Sequence, residues 1–193
     1  MKFPHVLGAG IAVAAASLAL AGCAAGEPAA DSSSAASSTE AAIPAPETNE
    51  QMKAEGADGL SATTYYYYEA MSYALQTGKT DDMLAVTQDC AECEKAAGAI
   101  AHVYDDEGTI EGGQPKPQDV VAVGKADQDG QLSAVVPYME DAKKVLDKDG
   151  EVVEETEWDA EGTTYTVTGT YDDGAWKITS LKHTPDASAP EEE

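Results

Sequence analysis

The 193-residue chain carries 36 acidic residues against 11 basic ones, for a net charge of −25. All 11 are lysines, with no arginine anywhere. Nucleic-acid and phosphate recognition lean on arginine and a positive surface, so this composition excludes nucleic acid as a partner. It also makes direct contact with anionic lipid head groups unfavourable.

In chain order, Lys2 is followed by an uncharged apolar run from Val6 to Leu20, and the small residues Ala21 and Gly22 then lead to Cys23. The run is shorter than the ~20 residues a bilayer-spanning helix needs, so it reads as an export signal and not a permanent span. Leu20-Ala21-Gly22-Cys23 resembles the lipobox of bacterial lipoproteins. That resemblance implies removal of residues 1–22, a thioether-linked diacylglycerol on Cys23, and a mature protein held at the extracytoplasmic face of the cell membrane. The membrane partner is then reached through the lipid alone.

Residues 23–57 consist mainly of Ala, Ser, Pro, Glu and Thr with few large apolar side chains. Such a segment buries too little apolar surface to offset the entropy of ordering and is expected to be a disordered tether. The acidic tail, residues 185–193, is expected to be solvated as well. One domain, residues 58–184, remains.

The domain opens with a tyrosine-rich helix in which Leu60, Thr64, Tyr67, Tyr68, Met71 and Leu75 share one stripe. Tyr66 and Tyr73 form a second, shorter line, and Thr77-Gly78 stops the helix. A core helix is the simpler expectation, with a tyrosine-lined ligand cavity as the alternative. A short helical turn follows near Met83–Val86, then a third helix from Cys90 to Asp106 with Cys93, Ala96, Ala97, Ile100, Val103 and Tyr104 on one face and His102 opposite. With Cys23 lipidated, Cys90 and Cys93 are the remaining thiols, and in an oxidising compartment they are expected to form a structural disulfide. A redox role fits less well, because no thioredoxin-like βαβ pattern surrounds the pair. Zinc would need two further ligands that the spacing does not offer. No metal or other cofactor is expected.

From Glu111 the period changes to two. Gly112–Pro117 reads as a loop, after which Asp-Gly pairs at Asp129-Gly130, Asp149-Gly150 and Asp173-Gly174 turn three hairpins, with a bulge or bend at Gly169. The aspartates lack the first-position carboxylate and twelfth-position glutamate of a calcium loop and read as turn residues. Helices followed by antiparallel strands define an α+β domain, N-terminal helices packed on a curved antiparallel sheet. This order resembles the cone of nuclear transport factor 2 and SnoaL-like proteins.

Leu20–Cys23, Tyr66–Gly78, Cys90–Cys93, Glu111-Gly112-Gly113 and Gly174-Ala175-Trp176-Lys177-Ile178 together resemble an uncharacterised family of actinobacterial lipoproteins. That resemblance implies no activity. Two functional classes stay open: a non-enzymatic envelope or binding domain, and a small-molecule binding or enzymatic cone in which Tyr66, Tyr73 and Trp176 would line the pocket. The first is favoured, because the chain shows no acid/base constellation: His102 is expected in solvent and His183 at the domain's end. No catalytic residue is therefore assigned.

Overall fold

A computed structural model describes residues 42–123, 126–158 and 162–184. The signal, Cys23, most of the tether and the acidic tail lie outside the described residues. The elements run as a 3-10 helix Glu50–Lys53, helices α1 (Ala57–Thr77), α2 (Asp81–Ala85) and α3 (Ala91–Asp105), and strands β1 (Thr109–Gly112), β2 (Pro115–Pro117), β3 (Val121–Val123), β4 (Gln131–Glu140), β5 (Lys143–Leu146), β6 (Val152–Thr156), β7 (Thr163–Asp172) and β8 (Ala175–His183). This is the expected α+β arrangement, helices packed on antiparallel strands.

The strands form two sheets instead of one. The larger has the order β2-β4-β7-β8, with β3 also pairing to β4, and the smaller has the order β1-β5-β6. The Gly112–Pro117 segment, expected as a loop, is where the chain passes between them. Gly112 and Gly113 both take left-handed φ, 73° and 72°, a bend that L side chains resist. The prolines on either side of Lys116 then sit in the edge strand β2, where a missing N–H costs no ladder bond. The period of two reveals strands but not which sheet each one joins; the glycine pair makes the first crossing between the sheets, and the chain crosses again from β4 to β5 and from β6 to β7.

α1 lies against the large sheet. Leu60, Thr64, Tyr67, Tyr68 and Leu75 are buried as the helical period requires, and Leu132, Ala134, Val136 and Tyr138 alternate inward along β4 to meet them. The helix approaches closely at two glycines. A Cβ on Gly59 would collide with the carbonyl oxygen of Ala54 and stand 2.7 Å from Trp176 Nε1; one on Gly169 would stand 2.7 Å from Leu60 Cδ1. Gly169 also carries the expected irregularity, a register shift between Thr168 and Gly169 in the β7–β8 pair. Such a bulge bends the strand it interrupts.

The end of the expected tether is ordered, which corrects its boundary. Asn49 caps the 3-10 helix by accepting a bond from Met52 N at 3.3 Å, and Met52 packs on the core. Tyr171 Oη donates to the Lys53 carbonyl at 3.0 Å and Trp176 Nε1 to the Ala54 carbonyl at 2.9 Å. Composition averaged over residues 23–57 conceals the single Met52 and the two carbonyls that the distant aromatics hold.

The link from α2 to α3 joins the sheet edge. Gln88 N donates to Ile178 O and Ile178 N donates to Val86 O, both at 2.9 Å. Cys90 then caps α3, its Sγ accepting from Cys93 N at 3.3 Å, and the two cysteines are joined in a disulfide. Both are buried, at 1% and 0% exposure, so an external thiolate has no line of attack. The bridge closes the first turn of α3 on itself, and both cysteines pack in the core.

Candidate functional site

A hollow of about 450 Å³ opens between α1, α3 and the ends of β4, β7 and β8. Its wall is aromatic and aliphatic: Tyr68 and Met71 from α1, Ala96 and Ala99 from α3, Tyr138 from β4, Tyr165 from β7, and Leu181 from β8. Glu92, Lys95 and His183 supply the polar part of the lining. The volume lies within the range of small-molecule sites.

The phenols are arranged as a chain of rings. Tyr67 meets Tyr68 edge-on with centroids 5.4 Å apart, Tyr68 meets Tyr138 at 5.6 Å, Tyr138 meets Tyr165 edge-on at 5.2 Å, and Tyr165 meets His183 at 5.8 Å. The offset and edge geometries suit the ring quadrupoles. Their hydroxyls differ sharply. Tyr138 Oη donates to Glu140 Oε2 at 2.6 Å. Tyr67 and Tyr68 hydroxyls are buried with no hydrogen-bond partner among the described residues. Burial pushes the pKa of Tyr67 and of Tyr68 well above the ordinary tyrosine value, and burial with the Glu140 hydrogen bond does the same at Tyr138. Burial also raises Tyr165, with Glu140 adding to it. All four therefore stay neutral at physiological pH and offer hydroxyls as donors or acceptors, not phenolate bases.

The residues proposed from the sequence for a pocket are not the ones that line this hollow. Tyr66 is buried in the main core, and burial, with Asp82 and Glu69 nearby, raises its pKa. Tyr73 lies under Lys79, whose Nζ is 5.9 Å from the ring centroid. Tyr66 thus stands near α2 and Tyr73 beneath the α1–α2 connection. Trp176 sits in a second core cluster with Leu60, Leu132 and Ala134, held by its bond to Ala54. The structure does not bring these three together. His102 is exposed, as its place on the wheel predicts, with Nδ1 3.5 Å from the equally exposed Asp106. His183 ends β8 beside the hollow, a position its place near the chain end did not suggest.

The signal for the hollow in the sequence is faint. Tyr138 and Tyr165 stand at inward and edge positions of strands far apart in the chain, and only the pairing of Val136 with Tyr165 and Pro137 with Thr164 brings them beside each other. Tyr68 was legible as a core residue, but its unpartnered hydroxyl was not.

Helices covering one antiparallel sheet with an aromatic hollow between the layers define a small α+β domain. The chain belongs to a family of unknown function (DUF6318), whose pattern matches residues 27–182. No curated protein matches it. Among solved structures it is similar to the intermembrane-space region of the chloroplast protein ARC6, with 11% identity and a TM-score of 0.47 over 66% of this chain and 95% of that one. It is also similar to an uncharacterised protein with a cystatin-like fold from Caulobacter vibrioides, with 14% identity and a TM-score of 0.40 over 66% and 87%. A putative dehydratase of the NTF2-like family from Streptomyces avermitilis gives 14% identity and a TM-score of 0.39 over 67% and 95%. Likeness at this level transfers no ligand, partner or reaction to this chain.

Proposed function

We propose that the protein is an exported lipoprotein, anchored through Cys23 at the extracytoplasmic face of the membrane, whose domain binds and does not catalyse. Its site is the hollow between α1, α3 and the large sheet, and its ligand is a small, largely apolar molecule with one polar group. The observation that carries this reading is Tyr68: the residue is 2% exposed, lines the hollow, and has a hydroxyl without a partner among the described residues. A buried hydroxyl left unpaired costs about 1–3 kcal/mol, and a ligand recovers part of that cost where a small shift of the Tyr68 ring turns the hydroxyl into the hollow. Neutral phenols favour hydrogen bonding over proton abstraction, which supports binding ahead of catalysis.

The anchor and the binding site are tested separately. Cys23→Ala should accumulate as unprocessed precursor carrying no lipid label, and wild-type protein recovered free of acyl chains would remove the anchor. For the hollow, the folded protein is titrated with neutral alkylphenols and fatty alcohols while melting temperature and tyrosine fluorescence are followed. Ala99→Trp, which narrows the hollow from its exposed α3 side, should abolish any shift. A shift that survives Ala99→Trp would place binding elsewhere and overturn this assignment.

A further inference from the structure

The small sheet presents a second feature, independent of the hollow just described. Every residue of β6 is exposed, and Val152 (49%), Val153 (63%) and the following Trp158 (55%) place three large apolar side chains in water within a short stretch. Among the described residues β6 pairs with β5 alone, so it forms one edge of the sheet order β1-β5-β6. Unpaired edges with exposed apolar side chains are templates for a further strand.

Beside this edge a groove of about 750 Å³ separates the sheet from the C-terminal end of α3. Val103, Val145, Leu146 and Val153 give it apolar walls, and Asp105, Glu107 and Asp147 make it acidic. The local lysines are already engaged. Lys143 pairs with Glu154 at 3.3 Å, Lys144 with Glu155 at 3.1 Å, and Lys148 with Asp149 at 2.7 Å. Asp105 and Glu107 have no ion partner among the described residues, and they stand at a helix C-terminus, where the macrodipole already favours cations. A second copy of a chain with net charge −25 would bring like charges together across this edge, which disfavours self-association.

We infer that the β6 edge and the adjoining groove dock an extended, basic segment of another protein. Its backbone adds beside β6 as a further strand, its apolar side chains on the groove side cover Val153, and a lysine or arginine beyond the paired stretch reaches Asp105 and Glu107. Electrostatic complementarity sets the choice of partner and the apolar contact holds it.

The test uses the folded full chain and two peptides of equal charge, Lys-Val-Lys-Val-Lys-Val-Lys and the same sequence with glycine in place of valine, with Trp158 emission as readout. The valine peptide should bind and blue-shift Trp158. Asp105→Asn with Glu107→Gln should weaken it about tenfold, the size expected of two partly exposed charge contacts. Val153→Asp should weaken it at least as much. Asp81→Asn with Asp82→Asn, an equal charge change on α2, should leave it unaltered. Circular dichroism confirms that each variant is folded. Equal binding of the glycine peptide, an equal loss in the α2 control, unchanged Trp158 emission, or a peptide-free dimer lost in Val153→Asp would each overturn the inference.

Discussion

The two sheets are built from similar hairpins yet do different physical work. At the β3–β4 and β5–β6 turns the solution is nearly identical: Asp127 Oδ1 accepts from Asp129 N and Gln131 N, and Asp147 Oδ1 accepts from Asp149 N and Glu151 N, each at 2.9 Å. Beyond the turns the sequences part. β4 places Leu132, Ala134, Val136 and Tyr138 on one face and is closed by α1, whereas β6 reads Val-Val-Glu-Glu-Thr, has no alternation and buries nothing. Turn chemistry makes a hairpin; alternation decides whether it becomes core. The large sheet is therefore where stability resides, and the small sheet is free to vary its outward side chains.

This contrast is broken most directly at the centre of the large sheet's core. Tyr67→Ala removes a fully buried ring and should lower stability by about 3–5 kcal/mol in chemical denaturation. Gly59→Ala comes next. In an ordinary helix this change stabilises by about 1 kcal/mol. Here the added methyl meets the Ala54 carbonyl and Trp176, so a net loss of about 1–3 kcal/mol is expected from overpacking. A gain in melting temperature would show that the approach of the 3-10 segment to α1 is looser than described.

The pH dependence sharpens the same comparison, because the clearly shifted tyrosines belong to the helix–large-sheet core or its border. Tyr67 and Tyr68 have folded-state pKa values raised above the ordinary 10.0 by burial. The unfolded chain therefore releases their protons first, and the stability they contribute is complete below pH 10 and declines as pH rises above it. About 1 kcal/mol per phenol should be lost over the first pH unit past 10, measured by denaturant midpoints at graded pH. Tyr68→Phe carries the opposite sign to the other substitutions: with no partner for its hydroxyl, the phenylalanine variant should be more stable by about 1 kcal/mol while losing ligand affinity. Smallest of all, Val152→Thr on β6 and His102→Ala on the outer face of α3 should each stay within about ±0.5 kcal/mol.

Much of this architecture was legible in the residues. The wheel of α1 separated Leu60, Tyr67 and Tyr68 from Glu69 and Gln76, and Asp-Gly pairs located all three hairpins, because both signals are local. Three features were not local. The ordered 3-10 segment depends on Tyr171 and Trp176, more than a hundred residues away. The division into two sheets depends on three crossings of the chain, of which the bend at Gly112 and Gly113 is the first. The aromatic hollow depends on the register that sets Tyr138 and Tyr165 beside Tyr68, so helical faces alone pointed to Tyr66 and Tyr73, which α1 turns toward α2.

The bonds from Tyr171 and Trp176 to the Lys53 and Ala54 carbonyls have a mechanical consequence. Tyr171 and Trp176 face each other across the β7–β8 pair, close to its turn. A pull on the chain ahead of Asn49 loads these two bonds before it reaches the first turn of α1, and because the two aromatics sit opposite each other it is taken up by both strands of the hairpin together. Chain ends open at little cost, whereas core strands open only near the free energy of global unfolding. The clasp thus works as a strain relief: it lets the segment before it be tugged while α1, and the ring chain packed beneath it, stay in register.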